Sequence, residues 1–288
     1  MTARVTARGA ERWARGHPWI FRSDVESAPE VPGLVDVTDP RGKFLGQALC
    51  SPRSEIRLRL LEPTARPVDA AWWRERLQSA LTRRQGIDAT AYRVVHAEGD
   101  GLPSLVVDRY DRWLVVQLLS AGLETMRDAV LGALRETCQP DGILLRHDSP
   151  VRRREGLDEQ VTCAWGEVPE AVEVREGPVR YVAAPWTGQK TGAFLDQRPN
   201  RLLLARHTAP GGRALDCFAY HGSFALHLAT RAGRVMALDV SAEALARGAE
   251  NARLNGFDQI EWRQGDAFEV LKAMDRGRER FDTIALDP

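Results

Sequence analysis

Lysine is nearly absent from this chain. Of 40 basic residues only Lys43, Lys190 and Lys272 are lysines, so almost all positive charge is guanidinium, a group suited to bidentate phosphate contacts. A GC-rich coding sequence would leave the same bias. No charge of one sign prevails either: 40 acidic residues balance the 40 basic ones, so total charge announces no nucleic-acid partner and any basic surface must be local. Cysteine is sparse, and Cys50, Cys138, Cys163 and Cys217 lie far apart with no C-x-x-C pair. That spacing excludes a zinc knuckle and a dense disulfide framework; reduced thiols and no metal are expected. No run approaches the roughly 18 apolar residues of a membrane span, and the Arg-bearing start MTARVTARGAERWARG lacks the apolar core of a signal peptide. No membrane partner is expected, and a cytoplasmic location is.

What is present is ordinary globular material. With 43% hydrophobic and 28% charged residues over 288 positions, the chain is long enough for two or three domains with real cores. Residues 1–70 read as short β segments, FRSDVES, GLVDVTDP, KFLGQALC and EIRLRLLEP, punctuated by Pro and Gly, which predicts a small β-barrel or half-barrel. RPVDAAWWRERLQSALTRRQGI predicts a helix with Asp69 as N-cap and Gly86 as its stop. It opens a central α+β module over 71–185, with strands YRVVHAEGD, SLVVDRY and RWLVVQLLS, one helix over LETMRDAVLGALRETC, and the strand GILLRHD. From 186 to 288 the text alternates short apolar strands with amphipathic helices: RALDCF, RVMALDV, IEWRQ and FDTIALD mark four strands. Such alternation specifies a parallel, doubly wound α/β sheet.

In an open α/β sheet a ligand sits outside the carboxyl ends of the strands, at the topological switch point. The first of these strands carries Asp216 and Phe218 and runs into Tyr220, His221, Gly222 and Ser223 before a helix. Gly222 would let the backbone come close to a ligand, and the helix start offers free N–H groups. About twenty residues on, RVMALDV ends in Asp239, placed to accept both hydroxyls of a ribose. After IEWRQ, Asp266 and Ala267 offer a carboxylate and an N–H to an adenine amino edge, and the fourth strand ends at Asp287. Each Asp alone reads equally as a helix N-cap; their order and spacing together point to a nucleoside-bearing ligand. A dinucleotide would want G-x-G-x-x-G in the first turn, whereas FAYHGS has a single glycine. One glycine beside a carboxylate suits a cationic sulfonium with an amino-acid tail better than an anionic diphosphate. His221, His227 and Cys217 are read as structural: the histidines are six residues apart, off one helical face, and the Cys alternates with Asp216 inside a buried strand.

The stretch Gly188-Gln189-Lys190-Thr191-Gly192-Ala193-Phe194-Leu195-Asp196-Gln197-Arg198, with Asn200 and Arg201, resembles the G-Q-K-T-G-x-F-x-D-Q-R-x-N-R signature of bacterial large-subunit ribosomal RNA methyltransferases. Further matches are GHPWIF from Gly16 to Phe21, EGDGLPSLVVDRY from Glu98 to Tyr110 and REGL from Arg154 to Leu157. The chain is similar to the cytosine-5 methyltransferases with an N-terminal PUA domain. The resemblance implies a PUA-like RNA-binding domain at 1–70, a central α+β domain at 71–185, and at 186–288 a Rossmann-like class I methyltransferase domain with an incomplete parallel sheet. It implies S-adenosylmethionine as cofactor and large-subunit ribosomal RNA as partner. The implied cofactor contacts are Phe194, Gln197 and Arg198 in the signature, Asp216, Phe218, Tyr220, Gly222 and Ser223 in a D-x-F-x-x-x-G-x-F loop, then Asp239, Asp266, Ala267 and Asp287. Two positions depart from the pattern: His221 stands where Thr is frequent, and Ser223 where Gly is frequent. Lys190 and Arg201 read equally as solvated charges flanking a helix.

Cytosine carbon-5 is the implied target. A guanine-modifying relative sharing the cofactor signature is one alternative, and a non-catalytic RNA-binding module retaining the fold is another. Carbon-5 chemistry normally uses a Cys thiolate that adds to the ring. The family carries that thiol in a Ser-Cys-Ser segment, expected beyond Pro288, so no catalytic residue is assigned here and Asp287 is the one candidate contact to a substrate base. The chain is accordingly expected to be C-terminally truncated and inactive alone, with FDTIALD as an exposed sheet edge. Arg12, Arg15, Arg22, Arg41 and Lys43 are the local positive charge expected to meet RNA.

Overall fold

A computed structural model describes residues 1–288. Contacts divide the chain into two compact units, one of residues 1–87, 92–170 and 185–191, the other of residues 88–91, 171–184 and 192–288. No helix is long and apolar enough to cross a membrane.

The first unit opens with β1 (Thr2–Val5), α1 (Ala7–Ala14), β2 (Trp19–Phe21), β3 (Val25–Ser27), β4 (Gly33–Thr38), β5 (Phe44–Cys50) and β6 (Ile56–Glu62). The strands form one sheet in the order β2-β6-β5-β4-β1-β3. Its inward positions, Ala3, Val5, Ile20, Val35, Val37, Ala48 and Leu58, make a core of their own, as the period-two alternation of β4 requires. Helix α1 falls within the text read as β. It is set by Thr6, whose hydroxyl accepts from Gly9 N at 3.1 Å, and it buries Trp13 against that core.

α2 (Ala70–Thr82) starts on Asp69, which accepts from Trp72 N at 2.9 Å. It ends at Arg83, and Gly86 takes its positive φ of 81° in the turn that follows. Next come β7 (Ala91–His96), β8 (Leu105–Tyr110), β9 (Trp113–Leu118), α3 (Ala121–Glu124), α4 (Arg127–Cys138), β10 (Gly142–Arg146), α5 (Pro150–Glu155) and β11 (Val161–Gly166). The five strands form a second sheet, β11-β10-β9-β8-β7. The single helix expected over residues 123–138 is two, because Met126 leaves helical backbone at φ −106° and ψ 12°.

The second unit contains the hairpin β12 (Val172–Glu176) and β13 (Val179–Ala183), then α6 (Arg198–His207), β14 (Arg213–Cys217), α7 (Ser223–Ala229), β15 (Arg234–Asp239), α8 (Ala242–Asn255), β16 (Ile260–Gln264), α9 (Ala267–Arg276) and β17 (Thr283–Leu286). Four parallel strands run β16-β15-β14-β17. The chain steps outward from β14 to β16, then returns to the far side of β14 for β17, and the reversal beside β14 is the switch point. Leu215, Cys217, Met236 and Leu238 face α9 through Ala267 and Met274; the opposite face carries α7 and α8. β17 is an edge strand with Ile284 and Leu286 exposed. The hairpin lies before residue 186 yet packs in this unit: Asn255 and Asn251 of α8 accept from the N–H groups of Arg180 and Val182 at 2.8 and 2.9 Å.

Within the first unit Glu62 ties β6 to α2. It is buried, and its carboxylate accepts from Thr64 N and Oγ1, Arg66 Nε, Trp72 Nε1 and Arg76 Nη2 at 2.7–3.0 Å. Burial alone would raise its pKa, but the bonds from Trp72, Thr64 and Arg66 outweigh it and hold the carboxyl well below its ordinary value of 4.5. A depressed carboxyl stabilises the fold above that pH, and the stabilisation is lost as pH falls through the folded-state value. Glu62→Gln should therefore cost about 2 kcal/mol at pH 7. Urea unfolding should show the gap to wild type narrowing below pH 4.5; a gap independent of pH would contradict this role.

Candidate functional site

β14 runs into a turn with alternating left-handed residues: Phe218, Tyr220 and Gly222 have φ of 62, 49 and 82°. Two non-glycine residues in that region cost of order 1–3 kcal/mol each, and such strain gathers where a backbone must present itself in one way. The turn is held by Ala219 N to Leu238 O at 3.0 Å, Gly222 N to Ala219 O at 2.7 Å and Tyr220 N to Asp239 Oδ2 at 2.8 Å. Glycine is required at 222, and the neighbour that requires it is a side chain. A Cβ there would lie 2.4 Å from the Trp262 ring, and one on Gly248 of α8 would lie 2.3 Å from the same ring. Trp262 of β16, wedged between α7 and α8, thus fixes Gly222 from within the fold.

Four carboxylates gather at this end of the sheet. Asp216 is buried, and its Oδ2 accepts from Ala225 N at 2.8 Å. The N-cap position of α7 is Gly222, which has no side chain to offer, so Asp216 caps the helix from the neighbouring strand. Burial pushes its pKa up to about 7; the bond from Ala225 opposes this, and the charges of Asp287 and Asp239 add to it. Asp239 is half-buried and accepts one backbone N–H on each oxygen, from Tyr220 and from Ser241 at 2.9 Å. It is not the cap of α8, whose N-cap is Ser241, and each of its oxygens retains a lone pair for a ligand hydroxyl. Asp266 does cap α9: Oδ1 accepts from Phe268 N and Glu269 N. Asp287 is exposed just past β17, and its Oδ1 accepts from Gln197 Nε2 at 3.4 Å.

Aromatic rings stand beside the carboxylates. Phe194 meets Tyr220 edge to face at 5.5 Å, Phe218 meets Phe268 at 6.3 Å, and the Arg247 guanidinium lies 5.5 Å from the Tyr220 ring centre. Gln197 and Arg198 are half-buried at the start of α6, Ser223 is half-buried at the start of α7, and Ala267 is buried at the start of α9. His221 and His227 are buried; burial, then the Arg201 charge, lowers the His221 pKa to about 4. Cys217 is buried, and burial followed by the Asp216 charge raises its thiol to about 11. All three side chains lie in the interior of this unit.

The donor set fits S-adenosylmethionine. Apolar ring faces suit a purine, spare carboxylate lone pairs suit hydroxyl and amino donors, and the concentrated negative charge suits a sulfonium while repelling a diphosphate. What the sequence did not disclose is the support beneath. Arg201 is not a solvated charge but a fully buried one, paired with Glu176 of β12. The signal was present in the alternation of β12, which turns Val172, Val174 and Glu176 inward together; an acidic residue on an apolar face needs a cationic partner.

A family model for S-adenosylmethionine-dependent methyltransferases matches residues 93–288, and one for PUA-like domains matches residues 3–63. The ribosomal RNA large subunit methyltransferase I of Citrobacter koseri is 36% identical over 299 aligned residues, covering 99% of this chain and 75% of that protein. The protein of the same name from Vibrio cholerae is 37% identical over 287 residues, covering 95% and 72%. A Streptococcus mutans structure described as an S-adenosylmethionine-dependent methyltransferase shares the fold with a TM-score of 0.84 at 22% identity, over 100% of this chain and 77% of its own. A methyltransferase structure complexed with S-adenosylhomocysteine does so with a TM-score of 0.86 at 21% identity, over 100% and 76%. Likeness in sequence along nearly the whole chain agrees with likeness in fold, and the chain belongs to the S-adenosylmethionine-dependent methyltransferases, in the family of the ribosomal RNA large subunit methyltransferase I proteins.

Proposed function

We propose that this chain methylates large-subunit ribosomal RNA at cytosine carbon-5, with residues 1–70 binding RNA, 71–185 forming a central domain and 186–288 holding the cofactor. The observation that carries the reading is the set of acidic and aromatic side chains at the carboxyl ends of β14 to β17, which matches the chemistry of the cofactor this family uses. Support for the RNA comes from relatives named for ribosomal RNA large subunit methylation and from the PUA-like match. Support for carbon-5 comes from the signature at residues 188–201. A cytoplasmic location accords with that substrate.

In this reading the bound cofactor supplies an electrophilic methyl group. Asp239 takes the ribose hydroxyls on its spare lone pairs. Asp266 and the Ala267 N–H meet the adenine amino edge, beside the rings of Phe218 and Phe268. Phe194, Gln197 and Arg198 contact it from the signature, while Tyr220, Gly222 and Ser223 line it from the turn. Asp216 acts from beneath by fixing the start of α7, and its charge, like that of Asp287, favours a cationic ligand. Carbon-5 methylation also requires a nucleophile. Cys50, Cys138 and Cys217 are buried with raised thiol pKa values, and Cys163 lies on β11 of the other unit. The nucleophile is therefore assigned to none of these four thiols.

Asp239→Ala removes two charge-assisted acceptors, each worth about 1.5–3 kcal/mol, and should weaken S-adenosylhomocysteine binding in calorimetry by at least tenfold. Binding equal to wild type would contradict the ribose role. In cells carrying Asp239→Ala, nucleoside analysis of large-subunit ribosomal RNA should show the loss of one 5-methylcytidine. Loss of a methylguanosine instead would transfer the assignment to the guanine reading, and an unchanged profile would contradict both.

On the RNA side, Arg12 lies over Phe21 at 4.9 Å, and Arg15, Arg22, Arg41 and Lys43 are exposed. Replacing all five by Ala should weaken ribosomal RNA binding and flatten its dependence on salt, because each phosphate contact releases a counterion. An unchanged slope in a filter-binding titration would remove the first seventy residues from RNA recognition.

A further inference from the structure

We propose that Arg201 and Glu176 form a buried clamp that positions Phe194 for the cofactor, so that the last residue of the signature is a positioning residue acting through a backbone carbonyl. The proposal rests on the cofactor reading above. Arg201 lies in the first turns of α6 and donates from Nε and Nη2 to the two oxygens of Glu176, both at 2.7 Å. The same Nη2 donates to the Phe194 carbonyl at 3.0 Å. Both side chains are essentially inaccessible, at 1% and 0% exposure. Burial works against the guanidinium charge, and the fork of bonds donated to Glu176 outweighs it, keeping Arg201 charged.

Stability alone gives no reason for such a pair. A buried ion pair recovers little more than its own desolvation cost, and apolar residues of the same volume would serve the core as well. What an apolar core cannot supply is a rigid, planar donor that reaches a carboxylate and a specific carbonyl at once. The carbonyl in question belongs to the residue whose ring meets Tyr220 at 5.5 Å, and Tyr220 N is bonded to Asp239. A continuous path therefore runs from Glu176 through Arg201 and Phe194 to the turn and to the proposed ribose acceptor. The remaining neighbours of Glu176 close the compartment. His227 Nε2 lies 3.3 Å from Glu176 Oε1, and the Tyr181 hydroxyl is buried beside it without a hydrogen-bond partner. The hairpin carrying Glu176 is pinned to α8 by Asn251 and Asn255.

The test is a double-mutant cycle read by S-adenosylhomocysteine calorimetry, with thermal melting alongside. Arg201→Lys keeps the charge but cannot serve both the carboxylate fork and the carbonyl. Its affinity should fall about tenfold, within the range of coupling between residues in contact. Phe194→Ala should lower affinity in the wild-type background and change little on top of Arg201→Lys. Glu176→Gln, which preserves the size of the partner, runs the same cycle if Arg201→Lys does not fold. A paired Glu176→Leu, Arg201→Met variant should regain melting temperature without regaining affinity, which separates positioning from stability. Additive losses from Arg201→Lys and Phe194→Ala, or affinity restored by the apolar pair, would overturn the clamp. Wild-type binding and its loss in Asp239→Ala establish the cofactor reading independently, so an additive cycle on that background counts against the clamp alone. A wild-type chain that does not bind contradicts the cofactor reading and the clamp with it.

Discussion

The turn from Phe218 to Gly222 exists only because three neighbours hold a backbone that would otherwise relax. Asp216 anchors the helix that follows it, Asp239 receives the Tyr220 N–H, and the Trp262 ring fills the place a side chain at 222 would need. Each contact joins a different strand of the sheet to the turn, so β14, β15 and β16 must be in register before the turn can close. Register in a parallel sheet is in turn set by apolar residues buried on both faces, such as Leu215 and Leu238 against α9. The site depends on the sheet, and the strain in the turn is the part of folding free energy spent on presenting it.

The same geometry concentrates like charge. Burial, with the charges of Asp287 and Asp239 adding to it, pushes the Asp216 pKa up to about 7. A sheet end with this much negative potential is an unfavourable place for a phosphate and a favourable one for a sulfonium or ammonium group, whose arrival relieves repulsion already stored in the fold. Binding and charge relief are then one event. Ligand class is decided by electrostatics before any hydrogen bond is counted.

The doubly wound domain was largely legible because its short strands alternate regularly with amphipathic helices, a pattern with few other solutions. The acidic strand ends were legible for a related reason: their order along the chain follows the order of the strands. What escaped depends on partners distant in sequence. The packing of Gly222 against Trp262 was hidden because Trp262, forty residues away, gives no local sign of where its ring lies. Arg201 looked like a surface charge because its partner Glu176 sits in a hairpin outside the alternating pattern. Helix α1 was hidden among β text because it is eight residues long and buries only Gly9 and Trp13. The helix expected as one piece after β9 broke at Met126, where the sequence carries neither Gly nor Pro. In each case the deciding force is tertiary packing, which local propensity does not contain.

The account places a nucleoside-bearing cation at the carboxyl end of the sheet, and the most direct measurement is a crystal structure grown with S-adenosylhomocysteine. It should show the ribose hydroxyls within hydrogen-bond distance of Asp239 and the adenine beside Asp266. A second cleft exists at the opposite end of the sheet, lined by Arg213, Gly233, Arg234, Gln259 and Phe281. Ligand density there, with the crevice at Asp239 empty, would contradict the account.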